Sequence, residues 1–128
     1  MNYKLNTYNY LIKLLNPCLS KTEILALILA LITNDLKIKQ NQYMIIAGYC
    51  LKDVREVTDL DVIMTTSAYS KLKESKIGKI SVAKISGDEK IFIKFPQLGS
   101  DTEIEFFSKN RNIGFPTNNY SMNNLEKK

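Results

Sequence analysis

Asp59 and Asp61 stand two residues apart, with apolar Leu60 between them and Val62 and Ile63 after. An apolar run of this kind is a strand, and side chains two apart on a strand leave the same face, about 7 Å from each other. Two carboxylates on one face of an otherwise apolar strand repel each other and bury poorly unless a cation joins them. Further along, Glu103 and Glu105 alternate with Ile104 and Phe106, which puts another acidic pair on one face of a later strand. Three carboxylates converging on one sheet face are what a divalent metal pair requires. Mg²⁺ prefers hard oxygen ligands and is commonly held by one or two carboxylates together with substrate phosphates. Two such ions about 4 Å apart stabilise both the attacking and the leaving oxygen of a phosphoryl or nucleotidyl displacement. The plain alternative makes Asp59 a turn cap, Asp61 a solvated side chain, and the glutamates the wet side of an edge strand.

Ahead of the aspartates, Ile45, Ile46, Ala47 and Gly48 place a small-residue turn at a strand end, followed by Lys52 and Arg55. Glycine lets backbone N–H groups approach an anion closely, and the basic side chains can neutralise it. Without an anion, Gly48 is an ordinary turn glycine, and Lys52, Asp53, Arg55 and Glu56 form a solvated face.

The elements that would carry these groups follow from pattern. Leu11, Ile12, Leu14 and Leu15 predict a short first helix, ended by Asn16 and Pro17. Ser20 and Glu23 match a capping box ahead of a second helix over residues 21–36. That helix is apolar nearly all round, which predicts a sheet on one side of it and another element on the other. Residues 43–47 read as a continuous apolar strand, and residues 66–75 as an amphipathic helix with Ala68, Tyr69 and Leu72 inward. Residues 80–86 and 90–95, separated by Gly87, Asp88 and Glu89, read as a hairpin with one solvated face. A last strand spans 102–107. The expected organisation is one domain over residues 1–107 and an irregular Asn- and Lys-rich tail over 108–128.

Composition narrows the chemistry. Histidine is absent among the 128 residues, so Ser/His/Asp, Cys/His and histidine–metal sites are excluded. The net charge of +5 favours an anionic partner such as a nucleotide, tRNA or other phosphate, but no aromatic–basic interleaving marks a single-strand binder. Cys18 and Cys50 lack metal-type spacing and lie in apolar surroundings, which reads as two free, buried thiols in a reducing compartment. The first apolar run is broken by Lys13 and Asn16, unlike a signal peptide, and the nine apolar residues 24–32 are half a membrane span. A cytoplasmic protein with no membrane partner is expected.

Taken together, Ile46-Ala47-Gly48-Tyr49, Asp59-Leu60-Asp61 and Ile104-Glu105-Phe106 resemble, in order and context, the nucleotidyltransferase superfamily of the DNA polymerase β type. The resemblance covers about residues 43–107. It implies an α+β fold, a mixed sheet of about five strands with helices packed on one face. It also implies that Asp59, Asp61 and Glu105 are catalytic and bind two Mg²⁺ ions, with Glu105 preferred to Glu103 because apolar residues flank it on both sides. Ala47, Gly48, Tyr49, Lys52 and Arg55 would hold a nucleoside triphosphate such as ATP. The implied reaction moves a nucleoside monophosphate to a hydroxyl of an acceptor (small molecule, RNA or protein) and releases pyrophosphate. Two features depart from the family pattern. Its small pair is normally Gly-Gly or Gly-Ser, whereas Tyr49 follows Gly48 here, and only a tail follows the last strand where relatives carry an acceptor-binding helical region. The alternative is therefore a weak or inactive nucleotide-binding or regulatory module, an antitoxin-like partner of another protein.

Overall fold

The computed structural model describes residues 2–47 and 59–109. Among the described residues, three helices and five strands form an α+β unit. Helices α1 (Asn2–Leu15) and α2 (Lys21–Asp35) come first, followed by a 3-10 turn, Gln40–Gln42, and strand β1 (Tyr43–Ala47). Then come β2 (Asp59–Met64), α3 (Thr66–Ser75), β3 (Lys79–Val82), β4 (Glu89–Lys94), a second 3-10 turn, Pro96–Leu98, and β5 (Glu103–Ser108).

The strands lie in the order β1-β2-β5-β4-β3. Only β2 and β5 run parallel; the other neighbours are antiparallel, so the sheet is mixed, as expected. The parallel pair is central, and the chain between β2 and β5 makes α3 and the whole β3–β4 hairpin before returning.

One sheet face carries the core. Leu60, Val62, Met64, Ile91, Ile93, Ile104 and Phe106 alternate inward and pack with Ile24, Leu25, Ile28, Leu29 and Ile32 of α2 and with Ala68, Tyr69 and Leu72 of α3. Burying a side chain of this size favours folding by roughly 1.5–3 kcal/mol. The capping box is present: Ser20 N–H donates to Glu23 Oε1 at 2.9 Å, and Glu23 N–H to Ser20 Oγ at 3.2 Å. Those bonds to Ser20 hold the Glu23 carboxyl below its usual range. Thr65 caps α3 in the same way, accepting from Ala68 N–H at 3.2 Å.

Several expectations are corrected. The first helix begins at Asn2, not near Leu11, because Leu5, Tyr8, Ile12 and Leu15 form a stripe at helical spacing that packs on the core. Leu14, one of the apolar residues that marked this helix in sequence, is exposed. Helix α2 is not covered all round, since Leu27 is exposed. In the hairpin, β3 stops at Val82: Ala83 N–H bonds Asp88 O and Gly87 N–H bonds Ala83 O, closing a turn with Gly87 at φ 75°. Ile85 therefore sits in the turn, fully exposed, instead of on a strand face. Ile80 and Val82 face the same way as buried Ile91 but lie at the sheet edge and are half exposed. Cys18 is free and exposed instead of buried; Cys50 lies outside the described residues. No helix among the described residues is long and apolar enough to cross a membrane.

Candidate active site

The face of the sheet opposite the core gathers the acids. Alternation along β2 buries Leu60 and Val62 against the helices and turns Asp59 and Asp61 the other way. Alternation along β5 does the same with Ile104 and Phe106 inward and Glu103 and Glu105 outward. The parallel register then sets Asp59 beside Glu103 and Asp61 beside Glu105. One carboxylate oxygen from each of Asp59, Asp61 and Glu105 lies within 4.8 Å of the others, a spacing at which a single cation can be shared. Glu105 is thus the glutamate that joins the two aspartates. Glu103 instead lies 4.0 Å from Lys94 Nζ.

The cluster is electrostatically strained. Burial, a hydrogen bond with Glu105, and the charges of Glu105 and Asp59 push the Asp61 carboxyl up to about 7. Burial and the neighbouring Glu105 also raise Asp59, and burial together with Glu105 raises Glu103. Glu105 moves the opposite way. Burial would raise it, but hydrogen bonds with Lys90, Glu103 and Asp61 outweigh that and hold it below the usual range. The contact between Asp61 and Glu105 thus raises proton affinity at Asp61 and lowers it at Glu105.

One atom points to what is wanted here. Asp61 Oδ1 is buried and has no hydrogen-bond partner among the described residues. A dry carboxylate oxygen without a donor is costly unless a cation satisfies it. A hard divalent ion, ligated by oxygens of Asp59, Asp61 and Glu105, fits this donor set.

Sequence reasoning missed Lys90. It lies on β4, and its ammonium forms an ion pair with Glu105 Oε2. Its only signal in sequence was its place between Glu89 and Ile91 on the solvated side of the hairpin, and nothing local linked it to Glu105, fifteen residues away. Of the expected nucleotide-binding residues, Ala47 ends β1 directly opposite Asp61 in register. Gly48, Tyr49, Lys52 and Arg55 lie outside the described residues.

Compared with known proteins, the chain gives no match to any family model, curated protein or solved structure.

Proposed function

We propose that the protein is a Mg²⁺-dependent nucleotidyltransferase. The observation that carries this reading is the convergence of Asp59, Asp61 and Glu105, with Asp61 Oδ1 buried and unpartnered. Asp59 and Asp61 would hold both ions, and Glu105 would complete the ion nearer the acceptor. Bound there, Mg²⁺ supplies charge stabilisation to the triphosphate and to the attacking oxygen. The reaction joins an acceptor hydroxyl oxygen to the α-phosphorus of the nucleoside triphosphate and breaks the bond to the bridging oxygen of the β-phosphate. Pyrophosphate leaves, and the hydroxyl proton ends in solvent. The protein's own contribution is positional. Two neighbouring parallel strands fix the three carboxyls against each other, and the packed core behind them keeps that spacing from relaxing.

A second reading, a nucleotide-binding module without turnover, is favoured by the Lys90 ammonium that already neutralises Glu105. In that form the protein would act with a partner protein.

Thermal unfolding tests the proposal, run with each of the four nucleoside triphosphates, with and without Mg²⁺, on the parent and on Asp61→Asn. A ligand that binds only the folded state raises Tm by mass action. One triphosphate should raise Tm in a Mg²⁺-dependent way, and Asp61→Asn should remove the rise. No shift with any triphosphate would contradict the reading. A shift without pyrophosphate release on any acceptor supports the module instead.

A further inference from the structure

Four carboxyls, those of Asp59, Asp61, Glu103 and Glu105, crowd one patch of the sheet face opposite the core. Among the described residues, two ammonium groups reach them. Lys94 is more than half exposed and approaches Glu103 alone, at 4.0 Å. Lys90 is different. Its side chain is only 29% exposed, and its ammonium is paired with a Glu105 side chain that is itself 13% exposed. Phe92 is the β4 residue opposite Glu105, and Glu105 stands opposite Asp61; Lys90, two residues before Phe92 on the same face of β4, reaches Glu105 diagonally. Beside Lys90 on β3 is Ser81, whose short side chain adds no charge.

We infer that Lys90 is a resident counter-ion that holds the acid cluster together without metal and opposes metal binding through its charge on Glu105. This rests on the metal-site reading above. A fixed positive charge in a partly dry site repels an entering dication more strongly than it would in water. By giving Glu105 a partner, Lys90 also removes part of the carboxylate demand that a metal would otherwise meet. Lys90 is therefore a positioning residue. It sets how tightly the site binds its ion and lets the metal-free fold survive.

The test is Mn²⁺ binding by calorimetry at pH 8, together with metal-free Tm, on the parent, Lys90→Met, Lys90→Arg and Lys94→Met. Lys90→Met should lower the metal-free Tm and tighten Mn²⁺ binding at least tenfold. Lys90→Arg, which keeps the charge, should stay within a few-fold of the parent, and so should Lys94→Met. If Lys90→Met does not fold alone, Mn²⁺ should restore its cooperative unfolding; failure to do so overturns the inference. Equal or weaker Mn²⁺ binding by a folded Lys90→Met overturns it too, while leaving the metal site intact. If neither the parent nor any variant binds Mn²⁺, the metal reading itself falls and takes this inference with it.

Discussion

Holding Asp61 among other carboxyls sets a pH dependence that can be read directly. Its carboxyl rises from 3.8 to about 7 on folding. Between those values the folded state binds more protons than the unfolded state, so stability falls as pH rises through that window. The metal-free protein should therefore lose Tm steadily from about pH 4 to pH 7. Asp61→Asn should flatten most of that slope, as should saturating Mg²⁺, and a pH series of melting curves checks both. A parent whose Tm is unchanged or rises across the window would contradict the electrostatics described here. The aspartate pair was legible in sequence because period-two alternation fixes which side chains share a face. Lys90 was not, because its meaning depends on β4 pairing with β5, and no local pattern encodes that partnership.

At the scale of elements, Gly78, which links α3 to β3, lies close against β4. A Cβ there would come within 2.6 Å of Ile91 Cγ2 and 3.0 Å of Phe92 O. Ile91 is in the core, so it has little room to yield. Gly78→Ala should destabilise the protein by about 1–3 kcal/mol, the usual cost of overpacking, as measured by urea denaturation. A change below about 0.5 kcal/mol would mean that β3 is loosely held. The strands and helices α2 and α3 were readable from apolar runs, the Ser20–Glu23 pair and alternation. The extent of α1 was not, because only Leu5 and Tyr8 carry its stripe ahead of Leu11, set among Asn6, Thr7, Asn9 and exposed Tyr10. The end of β3 was hidden as well: Val82, Ala83 and Ile85 look like strand, but the turn bonds between Ala83, Gly87 and Asp88 take the chain out of the sheet.

Across the whole molecule, the two sheet faces divide the work. Helices and core side chains cover one face, and that packing holds β2 and β5 parallel and side by side at the centre of the sheet. The other face carries the acids, with Ile63 and Phe107 paired and buried on it as well. A mixed α+β sheet with helices on one face was what the resemblance of the motifs implied; the order of the strands within the sheet was not legible, because it is set by pairings between distant segments. The expected triphosphate cradle at Gly48, Tyr49, Lys52 and Arg55 and the tail from residue 110 onward lie outside the described residues.

Divalent-cation binding by Asp59, Asp61 and Glu105 is tested most directly by Mn²⁺ titration of the parent, Asp61→Asn and Glu105→Gln, followed calorimetrically at pH 8. The parent should bind Mn²⁺ saturably, and each substitution should weaken binding at least tenfold while the variants remain folded. A parent that takes up no Mn²⁺, or variants that bind it as well as the parent does, would contradict the claim.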